Sequence, residues 1–265
     1  MASVNEETCH VDGVALEVVR ILPDHPVSNR PAIILLHEGL GSVAMWRNFP
    51  QILAERTSCE VIVYSRAGYG KSDPANLPRE VSYMHDEGLK VLPQLIQQLG
   101  VSNPVLMGHS DGGSIALICS GGTDVSLSAV IVMAPHIMNE QITVDSIEQA
   151  KVAWAQTDLP ARLGRYHDDV ETAFRGWNDI WLHPDFLTWN IEEYLPTIKV
   201  PVLAIQGVND EYGTMSQIEG IKALAPQAEL LKLDNCRHSP HRDQPEAVLS
   251  AVVQFINQHN LEQAS

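Results

Sequence analysis

Positive charge is scarce in this 265-residue chain. Seventeen Lys and Arg stand against 33 Asp and Glu, so the formal net charge is −16. Such a surface repels polyanions and lacks the basic footprint that nucleic-acid binding requires. An acidic surface mostly favours solubility and does not by itself indicate a partner. The charge balance therefore excludes a nucleic-acid-binding protein.

Long apolar runs and a leader-like N-terminus are also missing. Residues 1–7 are polar and acidic, with no positive segment leading into an apolar one, so no signal peptide is visible. The longest apolar stretches, such as 129–134, are far too short to cross a bilayer. We therefore expect a soluble, cytoplasmic protein that does not enter a membrane.

Cysteine is rare, and metal-binding patterns are absent. The four cysteines have no CxxC spacing, which argues against a zinc site and against a disulfide framework. None of the eleven histidines belongs to an HExxH motif. We expect free thiols, no metal and no cofactor.

What the sequence does contain is an alternation of short β-branched runs with segments of helical period. This pattern predicts an α/β fold, a mostly parallel sheet with helices on both faces. Residues 10–21, interrupted by Asp12-Gly13, predict an opening hairpin. The expected buried strands are 32–36, 61–64, 105–107, 129–133, 202–205 and 230–233.

The alternation stops between residues 136 and 199, which contain no clear strand but four of the five tryptophans. We interpret this interval as a helical cap inserted between two parts of one core, 1–135 and 200–265. Its tryptophans either line a substrate pocket or attach the cap to the core. We take Trp177 and Trp181, together with Glu38, as candidate substrate-binding residues.

A Gly-x-Ser-x-Gly sequence at 108–112 follows an apolar strand and precedes a helical run. This strand, sharp turn and helix context is typical of a nucleophile elbow, with Ser110 as the nucleophile. The turn leaves no room for a side chain on either glycine. It also places Ser110 at a helix N-terminus, where free N–H groups stabilise negative charge.

A serine nucleophile requires a base and an orienting carboxylate. Asp210 follows the strand at 202–205, and His238 lies between the final strand and the last helix. Both positions fall at the carboxyl edge of a parallel sheet, where sites form in this fold class. Glu211 is the alternative acid and His241 the alternative base.

Two further loops carry glycine-rich patterns. The turn at 37–42 follows a predicted strand, and we assign the backbone N–H groups of Gly39 and Asp111 to an oxyanion hole. Gly70-Lys71-Ser72 matches the end of a P-loop, but the glycine needed five residues earlier is Ser65. The nucleotide-binding interpretation therefore fails.

Taken together, these motifs resemble the α/β-hydrolase superfamily, specifically its small capped esterases, lactonases and carbon–carbon hydrolases. The resemblance rests on 37–42, 65–72, 108–113, 207–210, and the stretch from His238 to Pro245. It implies an eight-stranded, mostly parallel sheet with a small helical cap. Two positions depart from the family pattern, because Glu38 and Arg237 stand where glycine is usual.

The resulting expectation is a serine hydrolase that cleaves a small carboxylic ester or lactone through an acyl-enzyme, with Ser110, His238 and Asp210 as its triad. The partner is a small acyl substrate, and a homodimer is left open. Alternatives on the same scaffold are a carbon–carbon bond hydrolase of a ring-cleavage product, a thioesterase and a ligand receptor without hydrolytic activity.

Overall fold

The computed structural model describes residues 2–261, which contain one eight-stranded sheet. Its strand order is β1-β2-β4-β3-β5-β6-β7-β8. Strands β1 and β2 are antiparallel, β2 joins β4 antiparallel, and all the remaining pairs are parallel. The strands are β1 (Ser3–Val11), β2 (Val14–Leu22), β3 (Ile33–Leu36), β4 (Val61–Tyr64), β5 (Val105–His109), β6 (Ala129–Met133), β7 (Val202–Gly207) and β8 (Glu229–Leu233).

The opening hairpin forms around the predicted turn. Asp12 and Gly13 both have positive φ, 51° and 82°, as a tight two-residue hairpin turn requires. The strands pair without a bulge from Val11 opposite Val14 to Ser3 opposite Leu22. The hairpin is therefore longer than the predicted 10–21. The prediction missed the first residues of the outer strand because this strand is polar and largely exposed.

The inner strands β3 to β7 are buried along their whole length, as their continuous apolar sequences predict. Alternate residues of each strand face two separate cores, one on each side of the sheet. Helices α1 (Phe49–Thr57) and α10 (Pro245–Gln258) cover one face. The other face is covered by helices that include α3 (Leu92–Leu99), α4 (Asp111–Gly122) and α8 (Ser216–Leu224).

Two further short helices complete the core in the described residues. Helix α2 (Tyr83–Asp86) continues through a π-helical turn, Glu87–Val91, into α3. Helix α9 (Pro240–Asp243) directly precedes α10.

Residues 136–199, which we call the inserted segment, lie between β6 and β7 and contain helices and 3-10 turns. The helices are α5 (Gln141–Gln156), α6 (Leu159–Leu163) and α7 (Val170–Trp181), followed by turns at Pro184–Thr188 and Glu192–Thr197. Within 136–199, β-pairing is limited to an isolated bridge between Met138 and Asn190. The division of the chain into core and cap stays a prediction.

Two findings concern the membrane and the thiols. Within residues 2–261, no helix has both the length and the apolar character needed to cross a bilayer. All four cysteines are buried and unpaired, so the expectation of free thiols agrees with the structure.

We predict that the centre of the sheet dominates stability. Ile131 on β6 is fully buried, so Ile131→Ala should lower the free energy of unfolding by about 2–5 kcal/mol through lost transfer energy and a residual cavity. Val152→Ala on α5 is the control, because Val152 is 53% exposed and its truncation should change stability by no more than about 0.5 kcal/mol. Urea unfolding followed by circular dichroism measures both, and equal effects would contradict the assignment of the core.

Candidate active site

Ser110 occupies a strained turn between β5 and α4. Its φ and ψ are 52° and −121°, a conformation that non-glycine residues rarely adopt. A Cβ on Gly112 would lie 2.1 Å from the carbonyl oxygen of Leu36, and one on Gly108 would lie 2.2 Å from the carbonyl oxygen of Gly112. Both glycines of the motif are therefore required by close backbone approach.

Three side chains that are distant in sequence meet above this turn. His238 Nε2 lies 3.0 Å from Ser110 Oγ, and His238 Nδ1 lies 2.8 Å from Asp210 Oδ1. Both distances are ordinary for hydrogen bonds. Ser110 and Asp210 are only 6% and 7% exposed, so the arrangement is shielded from bulk water.

The Asp210 carboxylate is fixed on both oxygens. Oδ1 also accepts the backbone N–H of Tyr212 at 2.8 Å, and Oδ2 accepts from Gln206 Nε2 at 3.3 Å. Burial by itself raises the pKa of Asp210, but the charge and hydrogen bond of His238 and the Tyr212 N–H lower the pKa on balance. The carboxylate is therefore ionised near neutral pH.

The pKa of His238 is shifted in the opposite direction. Burial acts to lower the pKa of His238, but the charge and hydrogen bond of Asp210, with further charge from Glu211 and Glu38, raise the pKa above its usual value. The Tyr212 ring packs against the imidazole at 4.7 Å between centroids. The environment thus stabilises the proton that His238 takes up as a base and holds the ring in one orientation.

The alternative acid and base have other partners. Glu211 accepts the backbone N–H of His238 at 3.2 Å and pairs with Arg237 at 3.0 Å, so its carboxylate bonds to the loop and not to the imidazole. His241 packs its ring against Trp46 and His109, at 4.8 and 4.9 Å between centroids. Burial and the charge of His109 hold the pKa of His241 well below its usual range.

The backbone groups assigned to an oxyanion hole both lie at the Ser110 cavity. Gly39 and Asp111 line this cavity together with Ser110. The Asp111 side chain points elsewhere and accepts the Tyr83 hydroxyl at 2.6 Å. The Gly39 position sits against the Trp177 ring, because a Cβ there would lie 2.1 Å from Trp177 Cδ1.

The loop that carries Gly39 is held by a buried guanidinium. Arg66 is 1% exposed and donates to the carbonyl oxygens of His37 at 2.6 Å and Glu38 at 3.0 Å. Its backbone N–H also donates to His37 Nε2 at 3.0 Å. The 65–72 stretch, which resembles a P-loop only at its end, therefore supports the 37–42 turn.

Glu38 turns its carboxylate toward a second charged cluster beside the cavity. Oε2 lies 3.4 Å from His109 Nδ1, and Oε1 lies 3.8 Å from Arg242 Nη2. Burial acts to raise the pKa of Glu38, but the hydrogen bond and charge of His109 and the charge of Arg242 hold it well below its usual range. His109 Nε2 donates in turn to the carbonyl oxygen of His238 at 2.7 Å, so the cluster supports the His238 loop.

The cavity above Ser110 measures about 120 Å³. Glu38, Trp177 and Trp181 all contribute to its wall. The other two tryptophans of the inserted segment pack internally: Trp154 stacks on Phe174, and Trp189 on Phe186. Trp177 and Trp181 therefore have the position that the first interpretation requires, whereas these two stacked pairs lie within the inserted segment.

Several residues at the cavity were not singled out from the sequence. They are His136, which follows β6, Thr143 and Ile147 on α5, and Tyr212 beside Asp210. His136 follows a buried strand at the same sheet edge as the other site residues, and that position is the one signal that could have identified it. Within residues 2–261, no group of three or more His, Cys, Asp or Glu is placed to hold a metal ion.

Comparisons with known proteins identify relatives of this chain and solved structures of similar fold. A mouse (Mus musculus) protein named sn-1-specific diacylglycerol lipase ABHD11 is 23% identical over 253 residues, which covers 85% of this chain and 81% of the relative. Among solved structures, a proline iminopeptidase from Mycobacterium smegmatis superposes with a TM-score of 0.79 at 18% identity, covering 97% of this chain and 99% of its own. An enol-lactonase from Burkholderia xenovorans LB400 superposes with a TM-score of 0.75 at 19% identity, covering 95% of this chain and 100% of the enol-lactonase chain.

The sheet order, the helices on both faces and these structural likenesses define an α/β-hydrolase fold. The model of the alpha/beta hydrolase family matches residues 33–251, so the chain belongs to that family. The predicted fold and the predicted class of enzyme, a hydrolase, are both confirmed.

We predict that the His238 pKa depends on Asp210. In the wild type this pKa should lie above 6.5, and Asp210→Asn should lower it because the carboxylate charge and its favourable hydrogen bond are lost. Histidine-selective NMR titration measures the change. Glu211→Gln is the matched control, since it removes an equal charge that does not contact the ring and should shift the pKa less.

His136 provides an internal reference in the same spectra. Burial and the charges of His238 and His109, only partly opposed by Asp210, lower the pKa of His136 to about 3, so its signals should not move between pH 5 and 9. An unchanged His238 pKa in Asp210→Asn would contradict the electrostatic account.

Proposed function

We propose that this protein is a serine hydrolase that cleaves a small carboxylic ester or lactone through an acyl-enzyme on Ser110. The observation that carries the proposal is the continuous hydrogen-bonded line from Ser110 through His238 to Asp210 beside a cavity. A serine hydroxyl is a weak nucleophile until a base removes its proton, and an imidazole at 3.0 Å is within the required reach.

The proposed first half-reaction forms the acyl-enzyme. His238 Nε2 takes the Ser110 proton as Oγ attacks the substrate carbonyl carbon, and the resulting imidazolium is stabilised by Asp210. The oxyanion lies toward the N–H groups of Gly39 and Asp111, the latter at the N-terminus of α4. His238 then donates its proton to the leaving alkoxide as the carbon–oxygen bond breaks.

The second half-reaction returns the enzyme to its starting state. His238 removes a proton from water, the hydroxide attacks the acyl carbon, and the proton passes to Ser110 Oγ as the carboxylic acid leaves. Throughout both steps Asp210 keeps the imidazole in the tautomer with Nδ1–H, because its Oδ1 accepts that hydrogen at 2.8 Å.

The substrate class follows from the cavity and from the relatives. A volume of about 120 Å³ accommodates a compact acyl group, and larger leaving groups would extend outside. The names of two similar proteins, a diacylglycerol lipase and an enol-lactonase, denote hydrolysis of carboxylic esters and of a lactone. Both support an oxygen ester as the bond that is cleaved.

Ser110→Ala tests the nucleophile. We expect it to lower kcat/KM for p-nitrophenyl butanoate by at least ~10⁴-fold, because attack by serine is lost, and to abolish labelling by a fluorophosphonate. Ser250→Ala on the exposed side of α10 is the control and should retain both properties. Full turnover or labelling in Ser110→Ala would overturn the proposed function.

A second pair of variants tests the acid. Asp210→Asn should lower kcat by about 10⁴-fold, since the tautomer and the imidazolium are no longer supported. Glu211→Gln should lower kcat by less than about tenfold, because that carboxylate bonds to the loop backbone and not to the ring. Steady-state kinetics with the same ester distinguish the two, and the reverse order of effects would identify Glu211 as the acid.

A further inference from the structure

One imidazole in the cavity wall is not used by this mechanism. His136 is 2% exposed, and its buried Nδ1 has no hydrogen-bond partner among the described residues. Its backbone is fixed, because its N–H donates to Ser114 Oγ at 3.1 Å and its carbonyl accepts from the same hydroxyl at 2.6 Å. The residue therefore has a fixed backbone, while its ring Nδ1 has no hydrogen-bond partner in the described part of the chain.

The position of the ring relates it to the reacting groups. His136 lines the same cavity as Ser110, and its centroid lies 5.8 Å from that of His238. Its other side packs edge-on against Trp181 at 5.0 Å between centroids. A substrate that fills this cavity would thus lie against both Ser110 and His136.

A buried polar group without a hydrogen bond destabilises a protein, typically by about 1–3 kcal/mol. Such a group requires an explanation, which can be strain, a functional role or a bound water. The low pKa of His136, about 3, results from burial and the charges of His238 and His109, and it keeps the ring neutral across physiological pH. A neutral imidazole offers one N–H donor and one nitrogen acceptor.

The charged residues that line the cavity bear on which charge a substrate can carry. No Lys or Arg of residues 2–261 lines this cavity, while Glu38 in its wall is ionised. A carboxylate in the acyl part of a substrate would face that anion, and the His238 ring, which must be neutral to act as the base, would supply no compensating cation. At about 120 Å³ the cavity resembles in size the engineered apolar cavities of roughly 150 Å³ that hold benzene.

We propose that His136 is a specificity residue that hydrogen-bonds a second, uncharged oxygen of the substrate, a ketone or hydroxyl on a compact acyl chain. The inference rests on the proposed acyl-enzyme chemistry at Ser110. It narrows the substrate class from small esters in general to oxo- or hydroxyacyl esters and lactones. Plain alkyl esters leave the imidazole unpaired, and dicarboxylic half-esters introduce a charge that nothing in the wall neutralises.

The experiment compares p-nitrophenyl esters of nearly equal shape. One pair is the 4-oxopentanoate and the 4-methylpentanoate; a second is the 3-hydroxybutanoate and the 3-methylbutanoate. In each pair an oxygen takes the place of a methyl group. The hydrogen succinate ester adds a negative charge to the same chain length. For the wild-type protein we expect kcat/KM to favour one oxygenated ester over its alkyl partner by roughly 10- to 100-fold, and to be lowest for the succinate.

Two variants separate recognition from structure. His136→Phe keeps a flat ring without hydrogen bonds, so it should reduce the preference, which is the ratio of the two kcat/KM values, to about one. His136→Gln keeps a neutral donor and acceptor and should retain part of the preference. A merely structural role would reduce the rates for both esters equally and leave their ratio unchanged, which would overturn the proposal. The proposal would also be overturned if the wild-type protein showed no preference for the oxygenated ester in either pair.

A binding measurement tests the role of His136 independently of the proposed hydrolase activity. Tryptophan fluorescence of Ser110→Ala, with Trp177 and Trp181 in the cavity wall, reports ester binding without turnover. A preference for oxygenated esters that disappears in Ser110→Ala/His136→Phe, in a protein whose wild type hydrolyses no ester, would uphold the binding site and reject the hydrolase. Ester turnover with no preference would reject the role of His136 alone. If His136→Phe fails to fold, the ester ratios of wild type and His136→Gln decide the matter.

Discussion

Everything at this site depends on how closely the backbone of β5 and α4 approaches the end of β3. The turn at Ser110 packs Gly112 against the Leu36 carbonyl so tightly that even a methyl group would overlap it. This contact holds Ser110 at a positive φ and directs its hydroxyl to the carboxyl edge of the sheet. Strain of this kind persists only where surrounding structure enforces it, and here three buried parallel strands do so.

Around this turn, two buried charged clusters share one loop. Asp210 bonds the His238 ring, whereas the Glu38–His109 pair reaches the His238 carbonyl through His109 Nε2. The departure of residue 38 from glycine thus introduces a carboxylate that pairs with His109 and Arg242 beside the His238 loop. Arg237, the other departure, pairs with Glu211 at the outer side of the same loop. Both departures are explained by local ion pairs.

The sequence predicted most of the sheet because strands buried on both faces are continuously apolar, and the predicted run 129–133 coincides with β6. The outer strand β1 was underestimated because exposed strands carry polar residues. Ser110, Asp210 and His238 could be singled out because each follows a strand at one sheet edge. His136 follows β6 at the same edge but belongs to no motif. Thr143 and Ile147 lie on α5, whose orientation over the sheet depends on tertiary packing that periodicity alone does not reveal.

The central claim is that a covalent acyl group forms on Ser110. Mixing the purified protein with a slowly deacylating p-nitrophenyl ester, quenching in acid within the burst phase and mapping peptides by mass spectrometry tests it most directly. We predict an acyl adduct on the peptide containing Ser110, at close to one group per protein molecule. This adduct should be absent from Ser110→Ala. Turnover accompanied by an adduct on another residue, or by no adduct under conditions where a burst is seen, would contradict it.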